Sequence, residues 1–443
     1  MQVLQIILAL SILVLIHELG HYTFARIFGI RIDKFFLFFD TAGIKLFSTK
    51  SKWFLKICPK AAQWETEYGI GWLPLGGYCK VNGMIDESMD TEHLKNEPQP
   101  WEFRSKPAWQ RLLVMVGGVL FNFILGILLF SFSLFKWGEA YLPAEVNPIY
   151  IYEEYKLAEE MGFKTGDMIL ALDGEAPENF HMMQINMARN MVNTVTVLRD
   201  GDTVDIYIDH KYIADILKMQ MFEPAVPFIV KDYLETSPNI EAGLLPGDRI
   251  TAIDSIQIKC LQSARPVLAE RAGKRINATV QRDTAVLTIP LVVDENGSIG
   301  VYLEDLPIKQ VSYSFLESIP GGFRKAYEAT VGQLKDMRLL AKPSTGAYKS
   351  VGSIIAMTDA MPEQWNWQAF IHILAMISII LGVMNLLPIP ALDGGHIVFT
   401  LYEMVTGRKP SDKFLYVMQV IGMILIFGLM FLAFGNDIAR LLN

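Results

Sequence analysis

Two histidines and a glutamate stand at H-E-x-x-H spacing near the start of the chain, in His17-Glu18-Leu19-Gly20-His21. Residues four apart share one helical face, so both imidazoles can bind a single Zn²⁺. Glu18 then projects beside the metal, within reach of a proton on water that the metal has made acidic. A zinc that does chemistry keeps three protein ligands and an open position, so the pair needs a third donor. Asn385-Leu-Leu-Pro-Ile-Pro-Ala-Leu-Asp393-Gly-Gly395 supplies one in apolar surroundings. Pro388 and Pro390 break a helix there, which frees backbone groups and lets Asp393 turn inward. Gly394 and Gly395 allow backbone to approach closely. An Asp-Gly pair is otherwise a natural helix cap, but the apolar setting and the missing ligand favour the metal.

The elements that must hold these residues are membrane spans. The chain has 443 residues, 51% of them hydrophobic and only 19% charged, with a mean hydropathy of +0.29. That is too apolar for several soluble domains and too long for one. A formal net charge of -8 argues against a nucleic-acid partner. The three cysteines, Cys58, Cys79 and Cys260, suggest neither a disulfide framework nor a cysteine zinc site.

Apolar stretches near residues 3–30, 112–135, 370–387 and 414–434 are each about long enough to cross a bilayer. The first lacks a basic leader and a small-residue cleavage pattern, so it reads as an uncleaved span. Residues 3–16 cover only about 21 Å of a roughly 30 Å core. The helix must therefore continue through His17 and His21. Ionisable groups at that depth cost roughly 2.5–3.5 kcal/mol each and are usually functional.

Lysine and arginine set the expected orientation. Arg31, Lys34, Lys45, Lys50, Lys52, Lys56 and Lys60 follow span one, and Arg408, Lys409 and Lys413 lie between spans three and four. Both loops are then cytoplasmic, the site faces the cytoplasm, and residues 138–367 and both termini lie on the opposite face.

That outer segment repeats itself. Gly162-Phe-Lys-Thr-Gly-Asp-Met-Ile-Leu-Ala-Leu-Asp173 recurs as Gly243-Leu-Leu-Pro-Gly-Asp-Arg-Ile-Thr-Ala-Ile-Asp254, so two copies of a small β-rich domain are expected. The pattern resembles that of PDZ domains, whose sheet edges take a peptide strand or a substrate's outer portion. After the repeats, residues 315–340 have a helical period, suited either to the membrane surface or to packing on the second repeat. Gly69-Ile-Gly-Trp-Leu-Pro-Leu-Gly-Gly-Tyr-Cys-Lys80 reads as an apolar, glycine-rich β segment in a polar loop. His93 and His181 read as solvated, and His372 and His396 as neighbours of the site rather than ligands.

The H-E-L-G-H of span one, taken with N-x-x-P-x-P-x-L-D-G-G near the C-terminal end, resembles the bacterial site-2 proteases, in the RseP-like branch with two PDZ domains. The resemblance covers nearly the whole chain, including Leu73-Pro-Leu-Gly-Gly-Tyr78. It implies a zinc metalloendopeptidase of the bacterial inner membrane that cuts single-span membrane proteins within or beside the bilayer. A pre-trimmed anti-sigma factor or leftover signal peptides are the implied substrates. His17, His21 and Asp393 carry over as zinc ligands and Glu18 as general base. Asn385 carries over as a group holding substrate backbone or the oxyanion. Leu75, Gly76, Gly77 and Tyr78 carry over in a re-entrant hairpin whose edge strand pairs with unwound substrate. Asn122, in Gly117-Gly118-Val-Leu-Phe-Asn122, is expected to steady the site or a partner helix.

The expected fold is a multi-pass α-helical membrane protein with four transmembrane helices. Two β-rich PDZ-like domains are inserted between spans two and three, and a membrane-associated β-hairpin follows span one. The expected divisions are span one at 1–30, a cytoplasmic loop at 31–107 and span two at 108–137. The PDZ-like domains follow at 138–220 and 221–308, then juxtamembrane helices at 309–364. Span three with its L-D-G-G is expected at 365–402, a cytoplasmic loop at 403–413, and span four with the C-terminus at 414–443. Competing readings are a non-proteolytic PDZ-bearing scaffold with structural or no zinc, and an ion transporter. A base beside the metal is of no use to the first, and no inverted repeat supports the second.

Overall fold

The computed structural model describes residues 1–84, 97–152 and 156–442. The chain divides into two compact units, one of Met1–Gly138, Ser312–Met337 and Val351–Asn443, the other of Glu139–Val311 and Arg338–Ser350. Among the described residues four helical stretches are long and apolar enough to cross a membrane, Gln2–Ile27, Ala108–Trp137, Trp367–Leu386 and Lys413–Ala439. His93 lies outside the described residues.

The first unit is built on α1 (Gln2–Ile27), which runs without a break through His17 and His21. It crosses α3 (Ala108–Trp137) backbone to backbone. A Cβ on Gly20 would lie 2.2 Å from the Gly117 carbonyl oxygen, and one on Gly117 would lie 2.7 Å from that of Gly20. Only glycine on both helices permits this approach, the usual device for close helix packing in a membrane.

Between α1 and α3 lie β1 (Ile32–Phe39), β2 (Lys45–Ser48), the short helix α2 (Lys52–Ile57), β3 (Glu67–Gly71) and β4 (Leu73–Val81). The strands form one sheet in the order β2-β3-β1-β4. The hairpin expected at residues 69–80 is therefore not formed. Its two strands lie on opposite sides of β1, β3 parallel to it and β4 antiparallel. The reason is local: Trp72 alone joins β3 to β4, one residue fewer than the tightest hairpin loop requires. The chain instead wraps across the end of β1, where Phe38 takes φ 67° and Gly71 passes so close that a Cβ would lie 2.2 Å from the Phe39 carbonyl oxygen.

Helix α4 (Phe315–Leu340) carries the periodic segment, and its broad apolar face points outward, as the membrane-surface alternative expects and packing on the second repeat does not. Its small residues face inward, Ala326 packing with Phe130, Ala375, Ile379 and Val383, while Phe315, Phe323, Tyr327 and Leu334 are exposed. The short α5 (Ile354–Asp359) and then α6 (Trp367–Leu386), α7 (Asp393–Thr406) and α8 (Asp412–Leu442) complete the unit. The third span ends at Leu386, so the L-D-G-G opens a separate helix. α8 joins the rest through polar contacts that include the Ser353 amide donating to Asp437 at 2.7 Å and the Asn436 amide donating to the Val351 carbonyl at 3.0 Å.

In the second unit each of the two similar sequence stretches leads into three strands paired in the same order. The first copy pairs Met168–Leu172, Thr194–Arg199 and Asp202–Tyr207 in sequence order. The second pairs Arg249–Ile253, Arg275–Arg282 and Ala285–Val292 likewise. Each Gly-Asp turn is closed by its own carboxylate, Asp167 accepting from the Lys164 amide and Asp248 from the Leu245 amide, both at 2.8 Å. Each buried aspartate is then gripped by an arginine of the next long strand, Arg199 Nε and Arg282 Nε at 2.7 Å. The same arginines reach the Gly162 and Gly243 carbonyls at 2.7 Å.

Arg282 holds the Asp248 carboxyl below its ordinary pKa, so the pair's contribution is present above the unfolded value near 4 and fades as the pH falls through the folded value. Arg282→Met leaves a buried carboxylate without its cation, which should cost about 2–3 kcal/mol, less than the roughly 3–5 kcal/mol of a fully buried break because Arg282 is partly exposed. Thermal unfolding of the full chain in detergent reads this as a lower Tm at pH 7, and the gap from wild type should narrow below about pH 4.

Candidate metal centre

Helix α1 presents His17 and His21 on one buried face, with their Nε2 atoms 3.2 Å apart. The other nitrogen of each ring is committed. His21 Nδ1 lies 2.8 Å from the Val114 carbonyl oxygen, which can only accept, so Nδ1 carries the proton and Nε2 keeps a lone pair. His17 Nδ1 lies 3.0 Å from the side-chain amide of Asn122. Asn122 is fully buried, and its Oδ1 otherwise has no donor. With the amide turned so that Oδ1 faces the ring, Nδ1–H of His17 donates to it and the orphan disappears. Partners of this kind fix a metal-binding histidine's tautomer and orientation. Asn122 is steadied in turn, its carbonyl accepting from Ser378 Oγ of α6 at 2.8 Å.

Asp393 arrives from the far end of the chain. Past Leu386 the two prolines end α6, Ala391 adopts φ 74°, and α7 begins at Asp393 itself with Leu392 as its cap. Asp393 is therefore not the N-cap. Gly394 makes the fold-back feasible, since a Cβ there would sit 1.9 Å from the Leu387 carbonyl oxygen. The bend is braced from α8, where Gly422 meets the Pro390 carbonyl so closely that a Cβ would lie 1.7 Å from it.

The outcome is three donor atoms in one place. Asp393 Oδ2 lies 3.2 Å from His17 Nε2 and 3.4 Å from His21 Nε2, and His17, His21 and Asp393 form the one such grouping among the described residues. With zinc bonds of about 2.0–2.1 Å, neighbouring ligands of a tetrahedron stand roughly 3.3 Å apart. Two lone pairs and a carboxylate oxygen at that spacing repel one another unless a cation lies between them, and Asp393 Oδ2 is buried with no hydrogen-bond partner. The residues fit Zn²⁺. A further feature is the floor: a Cβ on Gly118 of α3 would lie 2.5 Å from His21 Nε2 and 2.7 Å from His17 Cε1.

Around this centre, Glu18 lies close enough to His17, His21 and Asp393 to feel their charges, and it accepts from the backbone amide of Cys79 on β4. Asn385 places its amide 3.4 Å from His17 Nε2. β4 is an edge strand, and its side chains alternate. Gly77 faces Val14 of α1, whereas Tyr78 turns to the other face, stacked on Phe36 with its hydroxyl donating to Asp40 at 2.7 Å. Gly76 lies on that same face against the Phe39 ring. The Leu75 side chain is outside the described part of β4. His396 is not among the converging donors, His372 lies beside the Phe130 ring, and His181 is exposed in the first repeat. Sequence reasoning missed Gly118, Gly422 and the Val114 carbonyl. Of these, only the paired Gly117-Gly118 left a signal in the sequence.

The profile of peptidase family M50 matches residues 5–429. A protein of Neisseria meningitidis serogroup A named as a zinc metalloprotease is 28% identical over 99% of this chain and 99% of its own. Metalloprotease MmpA of Caulobacter vibrioides is 29% identical over 98% and 95%. The regulator of sigma-E protease RseP of Salmonella typhimurium is 27% identical over 98% of each.

Proposed function

Because this chain belongs to peptidase family M50 and is a zinc metalloprotease of the site-2 type, we propose that it hydrolyses a peptide bond in or beside the transmembrane segment of single-span membrane proteins. Its substrates are trimmed anti-sigma factors or leftover signal peptides, and it works in the bacterial inner membrane with the site toward the cytoplasm. The observation that carries this reading is the His17, His21 and Asp393 cluster, with its orphaned carboxylate oxygen, on helices apolar enough to span.

In this reading His17, His21 and Asp393 hold zinc, which when bound polarises a carbonyl and acidifies water. Glu18 takes the proton from the attacking water and returns it to the leaving nitrogen. Asn385 holds substrate backbone or the developing oxyanion. A helix hides its carbonyls, so the substrate must be extended first, and the open edge of β4 offers backbone groups for that purpose. Gly76 and Gly77 leave this edge uncrowded, while Tyr78 serves it from behind by stacking.

The direct test uses the purified protein in detergent and a single-span substrate lacking its ectodomain. Wild type should cut, a zinc chelator should stop it, and added zinc should restore it. Asp393→Asn should lose activity and lower zinc affinity by more than the 10–100-fold typical of outer-shell changes. Full zinc occupancy without activity would show that Asp393 is not a ligand.

The two repeats, as PDZ-like domains on the periplasmic side with both termini, are proposed to screen ectodomains, because they lie in the connection between spans two and three. Deleting residues 144–306 should let an untrimmed substrate be cut at a rate near that of the trimmed one. Unchanged discrimination between the two would remove the filter from the proposal.

A further inference from the structure

The loop after span one carries a surface that the zinc site does not use. In α2, Trp53 and Ile57 are one turn apart, 54% and 73% exposed; the Trp53 ring meets Phe47 edge-on, and Phe54 packs on the same Phe47. Leu46 of β2 is 68% exposed, with Ile44 before it and Trp64 beyond α2 also exposed. Interleaved with these are Lys52, Lys56 and Lys60, all exposed and without an ion pair among the described residues. The nearby acids are already taken, Glu65 by Arg26 at 3.1 Å and Glu67 by Lys45 at 2.6 Å.

This segment is braced on itself and on α1. The Lys50 ammonium donates to the carbonyls of Ala61, Ala62 and Trp64 at 2.9, 3.0 and 2.6 Å, which staples the far side of α2 to its start. The Glu65–Arg26 pair ties it to the last turn of α1, the level at which a span meets headgroups. Tryptophan belts and lysines at that level are the mark of an interfacial contact. Cations with no ion pair among the described residues, set among exposed apolar side chains, match anionic headgroups over acyl chains.

We infer that residues 44–64 form a binding surface for anionic phospholipid, with Trp53, Ile57 and Leu46 in the acyl boundary and Lys52, Lys56 and Lys60 on the headgroups. The same segment reaches the sheet of β4: the Thr49 amide donates to the Tyr68 carbonyl at 2.9 Å, and the Tyr68 hydroxyl meets that of Tyr22 at 2.6 Å. Lipid engagement thus sets the depth at which β4 is held.

The full chain in nanodiscs tests this with brominated lipids, which quench tryptophan on contact. The Trp53 signal is the difference between wild type and Trp53→Phe. Brominated phosphatidylglycerol in a phosphatidylcholine background should quench it at least about fivefold more per lipid than the reverse mixture, the enrichment expected for even one lysine near an anionic surface. The preference should fall to parity in Lys52→Gln/Lys56→Gln/Lys60→Gln, and should weaken as salt rises from about 0.1 M, where charges are felt over only about 10 Å. Parity in wild type, or a preference surviving the triple variant, would overturn the headgroup contact. No quenching of Trp53 by either lipid would overturn the surface altogether. None of these readouts depends on proteolysis.

Discussion

Gly118→Ala is expected to empty the metal centre while leaving the fold standing. The added methyl would lie 2.5 Å from His21 Nε2 and 2.7 and 2.8 Å from Cε1 of His17 and His21, distances that real side chains do not tolerate. Nothing nearby can yield. His21 is tethered to the Val114 carbonyl and His17 to Asn122, and α1 cannot back away without undoing the Gly20–Gly117 contact one residue earlier on α3. Alanine is otherwise the better helix former by about 1 kcal/mol, so helix content and Tm should hold or rise slightly. Zinc affinity should fall at least 10–100-fold, the range seen when the setting of a ligand is disturbed, and cleavage with it. Wild-type zinc content in Gly118→Ala would mean the rings have room to turn, and that the floor is not a constraint.

Glu18→Gln is the second, with the opposite signature. The glutamine is isosteric and can still meet the Cys79 amide through its carbonyl oxygen, so the metal and the lie of β4 should be unchanged. What disappears is the ability to take and return a proton, worth about 10²–10⁴-fold in rate. Cleavage should therefore drop by that factor at full zinc occupancy. Equal loss of zinc would make Glu18 a structural group, and cleavage at the wild-type rate would place the base elsewhere. The pair of variants separates holding the metal from using it.

How much of this could be read from the residues depends on how far apart the cooperating parts lie. His17, Glu18 and His21 declare themselves because four residues make one helical turn. Asp393 is legible because prolines and glycines at membrane depth need a reason. The duplicated Gly-Asp turns were visible because both copies keep the same spacing. Their arginines were not, since Arg199 and Arg282 sit 32 and 34 residues beyond the aspartates they grip and any basic residue would have looked alike. The order β2-β3-β1-β4 was also hidden. Residues 69–80 carry a hairpin's composition, and only the single-residue link at Trp72 argues against one. Gly118 belongs to a third kind, a residue whose role is the absence of atoms and which becomes legible only once the two rings above it are in place.

The brace between Pro390 and Gly422 has a consequence for the order of events in a cell. The histidines and Asp393 lie far apart in the chain, and the bend that delivers Asp393 rests on Gly422 of a helix that follows it. During synthesis His17 and His21 emerge long before Gly422, so the three donors are expected to come together only once α8 is in place. Truncation before Gly422 is therefore expected to lower zinc affinity along with activity, which metal analysis of the shortened protein would show.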